Sequence, residues 1–119
     1  MSELDEIIKR KNDREKRLRE SLESIKQKLI DYGAIKIILF GSLASGKVDI
    51  NSDLDLFVIM PSNKSSKEWM KYIYDNTEFG ISSDIIVYNL EEFKENLPVS
   101  RFIRNVLESG KVIYEKSES

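Results

Sequence analysis

The 119-residue chain contains no cysteine and no histidine. Without cysteine there is no disulfide framework, no thiolate zinc site and no thiol nucleophile. Without histidine the chain lacks the side chain that most often acts as general base and as transition-metal ligand. Any metal site must therefore be built from oxygen atoms, which favours Mg²⁺, Mn²⁺ or Ca²⁺. An excess of one charge is missing too. The 19 Lys and Arg nearly balance the 21 Asp and Glu, leaving a formal net charge of −2, so direct binding to nucleic acid is not expected of the chain as a whole. No run approaches the roughly 20 apolar residues of a membrane span, and the charged N-terminus does not resemble a signal peptide. A cytoplasmic protein with no membrane contact is the expectation.

What is present suits one folded domain spanning residues 1–119, because 40% hydrophobic and 34% charged residues lie within the range of globular proteins. Residues 3–32 are expected to form one long helix. Leu18, Leu22, Ile25, Leu29 and Tyr32 recur at steps of four and three, the period of a buried helical stripe, and Gly33 is placed to cap it. The preceding "KRKNDREKRLRE" alternates in charge sign and reads as a solvated helix face. The stripe also admits a helix-mediated contact with a second copy, a possible homodimer. "IKIILF" (35–40) and "LDLFVIM" (54–60) read as buried strands, the first ended by Gly41 and the second by Pro61. "SKEWMKYIYDNT" reads as an amphipathic helix with Trp69, Ile73 and Tyr72 inward. "DIIVYNL" (84–90) is a third strand and "EEFKENL" a short helix. Pro98 is expected to open a C-terminal helix over 98–109, with Phe102, Ile103, Val106 and Leu107 on its apolar side. Gly110 ends it, "KVIYE" forms a short edge strand, and "KSES" is a frayed tail. The order points to an α/β (α+β) fold, a small mixed sheet flanked by helices.

Between the first two apolar runs, in "LFGSLASGKVDINSDLDLFVIM", lies a cluster of carboxylates. Residues two apart on a strand share a face, so Asp53 and Asp55 are expected to point together while Leu54, Leu56 and Val58 enter the opposite layer. Like charges side by side need a neutraliser, and a divalent cation on a rigid strand fits that need. Asp84, opening the third strand, reaches the same cluster if that strand lies alongside. It is a further ligand or a base toward an attacking hydroxyl. Gly41 lets backbone N–H groups approach an anion closely, Ser42 offers a hydroxyl, and a helical turn starting there aims its positive end at a phosphate. Other motif readings fail on spacing. An EF-hand loop needs Gly and Glu where Leu54 and Met60 stand. A P-loop needs Ser or Thr where Val48 stands.

Gly41-Ser42, ten residues, then Asp53-x-Asp55 between apolar runs resembles the signature of the nucleotidyltransferase superfamily that includes DNA polymerase beta. The short length and the carboxylate of "SSDIIVYN" resemble its minimal nucleotidyltransferase (MNT) branch. The resemblance covers about residues 35–90. It implies transfer of a nucleoside monophosphate, AMP from ATP, to a hydroxyl. Asp53, Asp55 and Asp84 would be the catalytic carboxylates and hold two Mg²⁺ ions (or Mn²⁺). Gly41, Ser42 and Lys47 would bind the nucleotide. It further implies an antitoxin role beside a HEPN-domain toxin on a separate chain, with a toxin tyrosine as acceptor. Related sequences carry arginines after Gly-Ser, as in "GSRARG", where this chain has Leu43 and Ser45. Lys47 is the candidate substitute, and an antitoxin that neutralises by binding alone is the alternative. A transferase for small molecules such as aminoglycosides would need a second domain to hold the acceptor.

Overall fold

A 29-residue helix, α1 (Glu3–Asp31), opens the computed structural model, which describes residues 2–117. Its start is fixed by a capping box: the Ser2 hydroxyl accepts from the Asp5 amide at 3.2 Å, and the Asp5 carboxylate accepts from the Ser2 amide at 3.4 Å. Its end is a Schellman turn. Gly33 has φ +105°, its N–H donates to the Ile30 carbonyl, and the Ala34 N–H donates to the Leu29 carbonyl. The glycine therefore stands one position beyond the cap, which is Tyr32. Leu18, Leu22, Ile25 and Leu29 are buried as the stripe requires, while Leu4, Ile7 and Ile8 lie exposed on the first turns. Helix α1 packs on the domain from Arg14 onward and its first turns overhang, so the molecule is 54 Å long against 30 and 27 Å across.

Four strands form one mixed sheet in the order β3-β2-β1-β4: β1 (Lys36–Phe40), β2 (Leu54–Met60), β3 (Ser83–Asn89) and β4 (Lys111–Glu115). The β1–β2 and β1–β4 pairs are antiparallel, and β2–β3 is parallel. A parallel neighbour needs a crossover. Helix α3 (Ser66–Asn76) supplies it, with its own capping box at Ser65 and Glu68. Helix α2 (Gly41–Ser45) is a single turn between β1 and β2, and α4 (Leu90–Asn96) and α5 (Arg101–Ser109) follow β3.

The apolar run Leu56–Met60 of β2 is explained by cover on both faces. On one face Leu54, Leu56, Val58 and Met60 join Ile37, Leu39, Ile85 and Val87 under α1 and α3. On the other, Ile38, Phe57 and Ile59 pack with Ile103 and Val106 of α5 and with Phe93 and Leu97 beyond β3. No helix among the described residues is long and apolar enough to cross a membrane.

Several expectations need correction. The last helix does not begin at Pro98: Ser100 is its N-cap, accepting from the Ile103 amide at 3.2 Å. Asn96, at the end of α4, accepts the Val99 and Ser100 amides and turns the chain before α5 can start. Phe102 and Leu107 are exposed, leaving Ile103 and Val106 as the buried side of α5. Tyr72 is also exposed, and its ring instead meets Trp69 and Tyr32 edge-on at 5.8 and 5.1 Å between centroids. The expected frayed tail begins with an anchored residue, since the Lys116 amide donates to the Ile35 carbonyl at 2.8 Å. Residues 118–119 of that tail lie outside the described residues.

Candidate active site

One end of the sheet gathers the carboxylates and the Gly-Ser turn. Phe40, the last residue of β1, pairs with Asp55 of β2, and Asp55 pairs in register with Asp84 of β3. Three adjacent strands thus bring Gly41, Asp55 and Asp84 to one edge. Asp55 alternates with Leu54 and Leu56, whose side chains enter the α1/α3 core, and shares its face with Phe57 and Ile59.

Gly41 touches this site directly. Its φ is +76°, a backbone conformation that side-chain-bearing residues rarely adopt. A Cβ there would overlap the Asp55 carboxylate, falling 3.0 Å from its Cγ. The glycine is therefore required twice, by the turn and by the carboxylate. Helix α2 starts at this glycine with no side-chain cap, so the leading amides of its first turn have no helical acceptor. Ser42 is half-buried on that turn. Its carbonyl accepts from the Lys47 amide at 2.9 Å, which ties the backbone at Lys47 to the turn, while the Lys47 side chain is exposed. Leu43 is buried and Ser45 exposed. Position 43 faces the core, so an apolar residue suits it.

Burial pushes the Asp55 carboxyl above its ordinary range, and the neighbouring Asp84 and Asp53 carboxylates push it further the same way. Asp84 itself is exposed, at the open edge of the sheet. The next residue is fixed from outside, its Ile85 amide donating to the Tyr74 hydroxyl of α3 at 3.0 Å.

Asp53 behaves differently from the expectation that it and Asp55 form one preassembled pair. It precedes the first residue of β2 and its carboxylate faces Arg14 of α1, with 3.8 Å between Nη2 and Oδ1. Among the described residues no three Asp, Glu, His or Cys side chains are already gathered as a ligand set. The structure brings Asp55, Asp84 and Gly41 together and holds Asp53 beside them on an arginine. The donor chemistry nevertheless fits a hard divalent cation: all the candidate ligands are carboxylate oxygens, and Asp55 is pushed up by burial and then by like charge that a cation would relieve.

Arg14 is the residue that sequence reasoning misses. Its side chain lies mostly buried, 17% exposed, within the stretch expected to be a solvated face. Its Nε–H also donates to the Ser52 carbonyl at 2.8 Å. A signal was present, because Arg14 stands four residues before Leu18, on the line of the buried stripe. The segment it grips is itself a bonded turn. The Ser52 hydroxyl accepts from the Asp49 amide at 2.8 Å, the Asp49 carboxylate from the Asn51 amide at 2.8 Å, and the Asp49 carbonyl from the Ser52 amide at 3.2 Å.

Three comparisons relate this chain to known proteins. The family model described as "Polymerase beta, Nucleotidyltransferase" matches residues 23–119. A Methanocaldococcus jannaschii protein named "Putative protein adenylyltransferase" is 34% identical over 106 residues, covering 84% of this chain and 97% of that one. A crystal structure of a "putative nucleotidyltransferase" from Sulfolobus solfataricus superposes with a TM-score of 0.54. It has 17% identity and covers 92% of this chain and 87% of that one, a likeness of fold. The chain belongs to the polymerase beta nucleotidyltransferase family, and a nucleotidyltransferase enzyme is what that family membership makes it.

Proposed function

We propose that the protein transfers AMP from ATP to a hydroxyl, in a metal-dependent reaction, and that the acceptor is a tyrosine of a HEPN-domain toxin for which it serves as antitoxin. The observation that carries the reaction is the contact between Gly41 and the Asp55 carboxylate, with Asp84 in register alongside. It sets a glycine turn with free leading amides against a carboxylate pair. The named activity of the 34% identical relative supports the adenylyl choice. The missing arginines and the antitoxin setting rest on the resemblance of the Gly-Ser and Asp-x-Asp signature to minimal nucleotidyltransferases.

In this reading Gly41 and Ser42 hold the β- and γ-phosphates through backbone amides and the serine hydroxyl, with Lys47 adding a point charge. The acceptor oxygen attacks the α-phosphorus, the bond from that phosphorus to the bridging oxygen breaks, and pyrophosphate leaves. The acceptor proton passes to Asp84, the exposed carboxylate, and from there to solvent. Asp53, Asp55 and Asp84 would hold Mg²⁺, or Mn²⁺, which supplies charge stabilisation at the transferring phosphoryl group. Incubation with α-labelled ATP, Mg²⁺ and a HEPN-domain protein as acceptor tests the proposal. Label on a toxin tyrosine that disappears with Asp53→Ala supports it, and no label in either protein rejects it.

The second reading is an antitoxin that acts by binding alone, favoured by the buried Leu43 where an arginine would serve the triphosphate. It predicts that an Asp53→Asn, Asp55→Asn double variant still protects cells from the toxin.

A further inference from the structure

The charged first half of α1 enters the active site through one residue. Arg14 lies 38 residues from Ser52 in the chain, yet its Nε–H donates to the Ser52 carbonyl at 2.8 Å and its Nη2 stands 3.8 Å from Asp53 Oδ1. These are the two residues that immediately precede β2. Ser52 is buried, and its hydroxyl and amide are both committed inside the 49–52 turn. From the other side, the Leu54 amide donates to the Ser82 carbonyl at 3.0 Å. Asp53 is thus suspended between a self-bonded turn and the first rung of the β2–β3 ladder, and Arg14 is the brace reaching it from a different layer of the fold. A hollow of about 220 Å³ between α1 and this turn is lined by Arg10, Asp13, Arg14, Arg17 and Ile50. Of these arginines, the structure gives Arg14 the bonds that cross it.

We infer that Arg14 is a positioning residue for Asp53, using its Nε–H to lock the Ser52 carbonyl and its second nitrogen to aim the Asp53 carboxylate at the active-site edge. A guanidinium can do both at once because its donors are held in one rigid plane. Lysine keeps the charge but cannot span both groups with a fixed fork. The inference rests on the nucleotidyltransferase reading for what Asp53 is aimed at, and it makes α1 part of the active site. An arginine from α1 thereby reaches the site in a chain that has none directly after its Gly-Ser turn.

The test uses the full chain, free of nucleotide, as wild type, Arg14→Ala, Arg14→Lys and, as control, Arg17→Ala. Hydrogen exchange at the amides of residues 51–54 is expected to rise about tenfold in both Arg14 variants, the scale of one hydrogen bond to a charged group. The rise is confined to that segment, and Arg17→Ala leaves it at the wild-type level. Binding of Mn²⁺ alone, followed by the loss of free-ion paramagnetic resonance, separates positioning from simple charge pairing. A brace predicts weaker Mn²⁺ binding in Arg14→Ala, because Asp53 is no longer held in place. A mere counter-ion predicts tighter binding, because a competing cation has gone. A structural role remote from the site moves neither. Should Arg14→Ala fail to fold, Arg14→Lys decides the question alone: it keeps the cation, so a brace predicts faster exchange at 51–54 and weaker Mn²⁺ binding, and a mere counter-ion predicts wild-type values of both. Unchanged exchange at 51–54, or tighter Mn²⁺ binding, overturns the inference whatever the transfer assay gives. Absence of AMP transfer by wild type, with both Arg14 effects present, overturns the adenylyl reading and leaves the brace standing.

Discussion

Asp55 and Asp84 are register partners across the parallel β2–β3 pair, on strands whose other residues are almost all packed into the core. The backbone ladder fixes their separation, so they cannot drift apart to relieve repulsion. The Gly41 turn closes the third side of Asp55. The sheet therefore holds an unfavourable arrangement at one edge, which a cation bound as proposed would relieve.

That stored repulsion has a pH signature. Burial, then Asp84, then Asp53 raise the Asp55 carboxyl above its ordinary value of 3.8. A group whose pKa is raised in the folded state favours folding when protonated. Its contribution is present in full below the unfolded value and is lost as pH rises through the folded one. Asp55→Asn is therefore expected to melt at a higher temperature than wild type at pH 7 without metal. The advantage should vanish below about pH 4, where the unfolded carboxyl also becomes protonated. Thermal melts from pH 3.5 to 7.5 check this. A variant less stable than wild type at pH 7 would show that Asp55 is held by favourable contacts instead.

Asp84 is predicted to be needed for chemistry and dispensable for folding. It is exposed, and the neighbouring Ile85 amide keeps its Tyr74 partner whatever side chain stands at 84. Asp84→Asn should therefore melt no lower than wild type, and slightly higher at pH 7 without metal, because it removes one of the charges facing Asp55. Transfer of AMP should fall by at least about 100-fold, the scale of charge stabilisation in metal-assisted phosphoryl transfer. Retention of most activity would remove Asp84 from the mechanism.

The sequence carries the local half of this picture well. Periodicity places Leu18 to Leu29 in one helix and alternation places Leu54 and Leu56 opposite Asp55, because these patterns depend only on neighbours along the chain. It also carries the cap of α5: Pro98 reads as a helix opener, yet Ser100, three residues before Ile103, is the better N-cap. What local pattern does not carry is partner choice. Asp53 and Asp55 look like the natural pair, but β2 begins at Leu54. Asp55 consequently finds Asp84 across the ladder, 29 residues away, and Asp53 finds Arg14, 39 residues back. Both contacts follow from strand order and helix packing, which belong to the whole fold.

Two glycines separate backbone strain from crowding at the site. Gly41 and Gly46 have nearly the same φ, +76° and +74°, but only Gly41 has the Asp55 carboxylate where a Cβ would go, while nothing lies within 4 Å at Gly46. Gly46→Ala should lose about 1–2 kcal/mol, the strain of a left-handed alanine. Gly41→Ala should lose more than that and should also displace Asp55, abolishing tight ATP binding in the presence of Mg²⁺. Denaturant melts and calorimetric titration of both variants measure the difference. Equal losses in stability and unchanged ATP binding would mean that the turn and the carboxylate are not mechanically joined.

The unequal halves of α1 give a stability contrast within one helix. Leu18 is fully buried against the sheet, whereas Ile8, ten residues earlier, is 47% exposed on the overhanging turns. Leu18→Ala removes packed methyl groups and is expected to cost about 2–5 kcal/mol. Ile8→Ala should stay within about 0.5 kcal/mol, as exposed positions do. Urea unfolding of the two variants at several protein concentrations checks this and probes the exposed stripe. If Ile8→Ala were strongly destabilising, and the more so at high concentration, Leu4, Ile7 and Ile8 would be covered in solution by a second copy. A concentration-independent result near zero would establish that half of α1 as a free arm, held to the domain from Arg14 onward.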